Sequence, residues 1–96
     1  MNKTFELQGV KFEWDKEKYA VNLWKHNVKF EEAAEVFFDP ENQFGDASVK
    51  DEKRQYVIGY SLSSRMLLVV FVERAVRTRI ISARRATAQE RKEYEK

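Results

Sequence analysis

Alternation of apolar and polar residues predicts strands at residues 10–14 and 53–62 of the chain. The paired serines at 63–64 fit a turn after the second of these strands. The continuous apolar run at 66–72 is typical of a central strand covered on both faces, and residues 76–83 are predicted to pair beside it. The last three strands are therefore expected to form an antiparallel meander.

Helical spacing of apolar residues predicts two helices, and a capping box predicts a third. Asp15 is a suitable N-cap for the first, and Asn27 tolerates the left-handed conformation that ends a helix. The apolar stripe of this helix contains Tyr19, Ala20, Leu23 and Trp24. Pro40 closes the second helix, whose apolar positions are Phe30, Ala33, Ala34 and Phe37. Thr87 and Glu90 form a capping box that begins the third helix.

Two segments carry little pattern. Residues 1–9 are predicted to form a short lead-in or an extra edge strand, and residues 40–51, rich in turn formers, a mobile surface loop. The order β-α-α-β-β-β-α predicts a single α+β domain over residues 1–96. In such a domain we expect a mostly antiparallel sheet with its helices on one face and the other face free for ligands.

Composition excludes several kinds of chemistry. The chain of 96 residues contains no Cys and one His, so disulfides, thiolate nucleophiles and cysteine-bound metals are absent. The scattered carboxylates show no spacing typical of a metal site, and we expect neither a metal nor a cofactor. The longest apolar run is far shorter than the ~20 residues that cross a bilayer, and the N-terminus is polar. These features predict a cytoplasmic protein without membrane contact.

Positive charge is concentrated near the end of the chain. The net charge is only +2, yet the segment 74–85 reads RAVRTRIISARR, with five Arg and no acidic residue. Arginine offers planar pairs of donors that suit phosphate oxygens. The same segment also fits a solvated basic strand or a docking site for an acidic protein, and composition alone does not separate these alternatives.

Two sets of motifs occur in order along the chain. The first comprises FEWD at 12–15, Lys18, Asn22, KH at 25–26 and VKFEEA at 28–33. The second comprises ER at 73–74, RIISAR at 79–84, AT at 86–87, ER at 90–91 and YE at 94–95. Between them lie Arg54, Ile58-Gly59 and Ser61. From about Val10 to Glu95 the sequence resembles the BrnT family of ribonuclease toxins from type II toxin–antitoxin systems.

The resemblance implies a RelE-like fold, a ribonuclease that arrests translation, and a neighbouring antitoxin with a ribbon-helix-helix DNA-binding module. Operator DNA is expected to bind only through that antitoxin, because no helix of this chain is a basic recognition helix. Two positions depart from the family: Asn27 replaces a usual Gly, and Arg85 a frequent Pro. The alternative hypothesis is a non-catalytic module whose basic strand binds an acidic antitoxin segment or DNA.

Metal-independent RNA cleavage uses the 2′-hydroxyl as nucleophile and needs groups that accept a proton, donate one and stabilise charge on phosphorus. His26 is our candidate general acid or base, because histidine exchanges protons near neutral pH. Asn22, one turn earlier, is placed to orient it, and Lys25 is a reserve cation. In the alternative interpretation, His26 caps the end of its helix or bonds a backbone carbonyl there.

Arg79 is the candidate phosphate clamp, with Arg84 and Arg54 as further catalytic candidates. Arg79 and Arg84 are an odd number of residues apart, so they share a face of their strand only if a β-bulge lies between them. Ser82 is a candidate ligand of a phosphate oxygen. Tyr56 and Tyr60 are candidates for stacking on bases, whereas Trp14 and Trp24 are assigned to the core.

Overall fold

The computed structural model describes residues 1–95, which form one six-stranded sheet and three helices. The strands are β1 (Asn2–Leu7), β2 (Val10–Asp15), β3 (Gln43–Asp46), β4 (Gln55–Tyr60), β5 (Met66–Glu73) and β6 (Thr78–Arg85). The helices are α1 (Lys16–His26), α2 (Phe30–Glu35) and α3 (Ala88–Tyr94), and a 3₁₀ turn, Val36–Phe38, follows α2. Residues 1–9 therefore contain an edge strand rather than a lead-in, and the predicted loop at 40–51 contains β3.

The sheet is mixed, with the strand order β1-β2-β6-β5-β4-β3. The neighbours are antiparallel except for β2 and β6, which run parallel with Phe12 opposite Thr78. The prediction of a mostly antiparallel sheet is wrong in this respect. The sheet is mixed because β2, near the start of the chain, pairs in parallel with β6, near its end. Local periodicity carries no information about such a distant contact.

Helices cover both faces of the sheet, which corrects the prediction that they share one. The first face, here called the helix face, packs against α1 and α2 over a core that includes Trp14, Phe30 and Phe71. On the opposite face, here called the α3 face, Tyr94 of α3 packs on a smaller cluster of Ile58, Met66 and Leu68. Sequence analysis missed this cover because α3 has too few apolar residues for a stripe.

The caps of α1 agree with their prediction, but its apolar stripe does not. The Asp15 carboxylate accepts a hydrogen bond from the Lys18 amide, and Asn27 ends the helix with φ 56°. Trp24, predicted to be buried, is 85% exposed, whereas the polar Asn22 is 6% exposed. The Asn22 side chain donates to the Ala83 carbonyl at 2.7 Å and accepts from the Ala83 amide at 3.1 Å. These two bonds fix the rotation of α1 on β6 and leave Trp24 in solvent.

An ion pair connects α2 to the turn between β4 and β5. Arg65 donates its Nε to Glu32 at 3.0 Å, and Ser61 and Ser63 each donate to the same carboxylate at 2.7 Å. These bonds, led by the one from Arg65, lower the pKa of Glu32 to about 2. Arg65 also donates to the Asn27 carbonyl, so the end of α1 lies near this turn.

Candidate active site

A β-bulge in β6 decides which arginines share a face of the sheet. Val70 pairs with Ser82 and Phe71 pairs with Ile80, so Ile81 is an extra residue opposite the regular strand β5. Beyond it, Arg79 lies opposite Val72 and Arg84 lies opposite Leu68. The extra residue compensates for the odd spacing, and both arginines project from the α3 face.

Three neighbouring strands and the residue just before β4 contribute to one row of side chains on the α3 face. Glu13 of β2 pairs with Arg79 of β6, and Arg79 pairs with Val72 of β5. Arg54 comes one residue before the pair Gln55–Phe71, so the same register places it opposite Val72. Directly opposed residues point to the same face. The two arginines consequently lie on either side of a half-exposed valine. We call this set, Glu13, Arg79, Val72 and Arg54, the arginine row.

Arg79 is held by two neighbours. Its guanidinium donates to the Glu13 carboxylate at 3.0 Å and to the Asn2 side-chain oxygen at 3.2 Å. The side chains of Arg79 and Glu13 are 19% and 13% exposed, so the pair is partly shielded from solvent. This geometry leaves guanidinium N–H groups for a ligand while fixing the plane in which they lie.

Arg54 borders a cavity at the same end of the sheet. The cavity has a volume of about 410 Å³, and its lining includes Val72, Ser48, Lys53 and Glu73. Arg54 forms an ion pair with Glu52, but its buried Nε has no hydrogen-bond partner among the described residues. This Nε is shielded from solvent, and two acidic residues, Asp46 and Glu73, line the cavity beside the basic Lys53 and Arg54.

A second row of side chains borders the arginine row on the α3 face. Ser82 pairs with Val70, and Val70 pairs with Tyr56. The Tyr56 hydroxyl donates to Glu93 of α3, and this bond together with burial raises the pKa of Tyr56 to about 12. Tyr56 is thus a neutral, half-buried ring close to the arginines, oriented by α3.

The remaining tyrosine and arginine candidates on this face hold α3 in place. The Arg84 guanidinium makes two bonds to the Glu90 carboxylate, at 2.8 and 2.9 Å, and this pair lowers the pKa of Glu90. Tyr60 packs edge-on against Tyr94, with ring centroids 5.4 Å apart. Both side chains therefore contact α3.

The structure separates the α1 candidates from the arginine row. Lys25 and His26 are exposed at the end of α1, which lies on the helix face. Asn22 uses its amide on Ala83 and Val28 rather than on His26. In contrast, the sheet gathers Arg54, Arg79, Ser82 and Tyr56 on the α3 face.

Sequence analysis missed Glu13 as a member of this site. The available signal was the alternation of Phe12, Glu13 and Trp14, which assigns Glu13 to the face opposite the core. The identity of its partner required the parallel contact between β2 and β6. Among residues 1–95, no group of three or more His, Cys, Asp or Glu side chains is clustered as metal ligands would be. None of the helices described is long and apolar enough to cross a membrane.

Comparisons with known proteins agree with the α+β fold and identify its family. The family model described as the ribonuclease toxin, BrnT, of type II toxin–antitoxin systems matches residues 14–90. The structure also matches the 1.1 Å crystal structure of the Brucella abortus ribonuclease toxin BrnT, with a TM-score of 0.60 and 25% sequence identity. That match covers 77% of this chain and 92% of the Brucella chain. A sequence search of curated proteins found no significant match.

These observations define a small α+β toxin of the ribonuclease class. The chain belongs to the BrnT family of ribonuclease toxins of type II toxin–antitoxin systems. Membership in such a system implies a protein antitoxin as its partner. Glu13 lies immediately before the matched residues, and it joins the site through its pairing with Arg79.

Proposed function

We propose that this protein is an endoribonuclease that cleaves RNA without a metal ion, by attack of a ribose 2′-hydroxyl on the adjacent phosphate. The observation that carries the proposal is the arginine row, in which two arginines flank a half-exposed valine beside an open cavity. Arg54 and Arg79 arise two strands apart, about 10 Å at the backbone. The Arg79 guanidinium bonds to Glu13 and Asn2, on the side of β6 away from Val72, so the RNA backbone is proposed to cross Val72 from Arg79 to Arg54.

Arg79 is assigned as the phosphate clamp and Arg54 as a second cation. As O2′ attacks phosphorus, negative charge grows on the non-bridging oxygens, and fixed guanidinium donors stabilise it. The bond from Glu13 holds the Arg79 fork in one plane before substrate arrives. Ser82 and Tyr56 lie next to the arginine row on the same face of the sheet. There the Ser82 hydroxyl can bond a phosphate oxygen and the Tyr56 ring can pack on a base.

Glu13 is assigned as the proton acceptor, because it is the carboxylate beside the clamp. In this step the 2′-hydroxyl gives its proton to Glu13, the O2′–P bond forms and the P–O5′ bond breaks. The leaving O5′ takes a proton from water at the exposed site. The products are a 2′,3′-cyclic phosphate and a 5′-hydroxyl. His26 lies outside this site, so its assignment as general acid or base remains a prediction without a geometric partner.

The biological consequence proposed is arrest of translation in the cytoplasm through loss of RNA. The toxin is neutralised by a ribbon-helix-helix antitoxin, which also provides the contact with operator DNA. The relation to RelE-like toxins belongs to the same proposal. These proposals rest on the activity that the family implies. They also rest on the α3 face of the sheet, where the described residues place arginines and no cluster of metal-binding side chains.

The competing function is a binding module without turnover. One observation favours it: Arg79 and Arg84 already pair with Glu13 and Glu90, as expected of charges with a structural role. Incubation of the purified protein with RNA separates the two functions, since a binding module protects RNA without cutting it.

Cleavage is expected to continue in excess EDTA, because the proposed site uses arginine donors and a carboxylate instead of a bound ion. The RNA products are expected to carry 2′,3′-cyclic phosphate and 5′-hydroxyl ends. Gel analysis of end-labelled RNA, with and without phosphatase treatment, measures both properties. Activity lost in EDTA and restored by Mg²⁺, or products with 5′-phosphate ends, would reject the mechanism.

A further inference from the structure

The outer surface of α1 carries an exposed apolar pair that the proposed ribonuclease site does not use. Trp24 is 85% exposed and Val21, one turn earlier, is 52% exposed. Residues three apart on a helix are neighbours, so the two side chains form one continuous apolar area with the exposed Ala20. We call Ala20, Val21 and Trp24 the α1 patch.

The orientation of α1 is fixed rather than accidental. The bonds between Asn22 and Ala83, together with the packing of Tyr19 in the core, set which side of the helix meets the sheet. No rotation of α1 can bury Trp24 without breaking two buried hydrogen bonds. An exposed tryptophan held in this way is typical of a protein contact, since tryptophan dominates the binding energy of interfaces and is costly to leave in water.

The charge around the patch indicates the chemistry of the partner. Exposed lysines flank the patch: Lys16 lies one turn before Ala20, and Lys18 and Lys25 lie beside Val21. The one exposed acid of α1, Glu17, lies one turn before Val21 at the N-terminal end of the patch. The exposed His26 lies at the same end as Trp24. An apolar centre with a basic rim is complementary to an amphipathic segment whose apolar side chains are flanked by Asp or Glu.

We infer that the α1 patch is the docking surface for the antitoxin, which contributes an acidic amphipathic segment seated on Trp24 and Val21. The inference rests on the family assignment, which implies an antitoxin, and it adds where that partner binds. Lys25 and His26, a motif left outside the ribonuclease site, become part of the rim. The patch lies on the outer side of α1, which covers the helix face of the sheet, whereas the arginine row lies on the α3 face. Contact at α1 by itself leaves the arginines uncovered, so the neutralisation proposed above requires a second contact of the antitoxin on the α3 face.

Titration calorimetry of the purified chain with the antitoxin encoded in the neighbouring gene tests the inference. Trp24→Ala is expected to weaken binding roughly 30-fold or more, the loss typical of a central interface residue. Trp24→Phe keeps a large apolar ring and should lose less. The matched control is Val76→Ala, which removes a side chain that is 74% exposed in the turn between β5 and β6, away from α1. It should bind like the parent.

RNA cleavage by the same variant tests the other possible occupant of the α1 patch, which is RNA. Free Trp24→Ala is expected to cleave RNA at the parental rate with an unchanged melting temperature, because its ring contacts neither the core nor the arginine row. Unchanged antitoxin binding by this variant would overturn the inference. Slower RNA cleavage by a folded Trp24→Ala that binds antitoxin normally would show an RNA surface instead, which also overturns it. If the parent cleaves no RNA, the ribonuclease proposal fails, but the calorimetric comparison still decides the docking surface.

Discussion

Arg79→Ala is expected to slow RNA cleavage by roughly 10²–10³-fold, the loss seen when one fixed donor to a developing negative charge is removed. Arg79→Lys should also lose much of the activity, because lysine keeps the charge but not the planar pair of donors. Single-turnover cleavage of a labelled RNA by each purified variant measures both effects.

The matched control is Arg85→Ala. Arg85 ends the same strand, but it lies opposite Leu67 and therefore on the helix face. It should retain the parental rate. Circular dichroism and thermal melting check the fold of Arg79→Ala, since loss of the guanidinium leaves Glu13 without its partner. A folded Arg79→Ala that cleaves at the parental rate would end the assignment of Arg79 as the clamp.

Glu13→Gln is expected to reduce cleavage by roughly 10²–10⁴-fold, the contribution of a positioned proton acceptor. The glutamine oxygen still accepts the hydrogen bond from Arg79, so the clamp remains oriented while proton transfer is lost. The same RNA assay measures the rate, and RNA affinity should not fall, because the neutral side chain repels phosphate less.

Glu31→Gln is the control for this substitution. Glu31 accepts a hydrogen bond from Tyr19 on the helix face, away from the arginine row. It is expected to cleave at the parental rate. A Glu13→Gln variant with unchanged activity would leave Glu13 as a structural partner of Arg79 and remove it as proton acceptor.

Local sequence patterns predicted much of the fold because helix caps and strand periodicity depend on residues that are close in sequence. The capping box at Thr87, the caps of α1 and the strand at 66–72 each depend on neighbours a few residues away, and the structure confirms them. The position of β2 beside β6 and the two-sided cover of the sheet depend on contacts across the whole chain. Trp24 shows the same limit: its spacing fits a core stripe, but the distant Ala83 backbone selects Asn22 for the buried side.

The candidate site was predicted in part for a related reason. The family motifs, together with the chemistry of arginine, made Arg54 and Arg79 candidates, and strand parity showed that only a bulge aligns Arg79 with Arg84. The bulge is present at Ile81, but an isoleucine at that position does not predict a bulge. The pairing of Glu13 with Arg79 required knowledge of which strands are neighbours. His26 was chosen for its proton chemistry, and chemistry alone gave no information about which face of the sheet it occupies.

Backbone amide shifts in the presence of a 2′-O-methyl RNA oligonucleotide, which binds but cannot be cleaved, test the central claim most directly. The proposed site predicts that the largest shifts fall on the arginine row and its neighbours Ser82 and Tyr56, while α1 is little affected. Shifts concentrated at Lys25 and His26, with the arginine row unchanged, would contradict it and move the RNA site to the opposite face of the sheet.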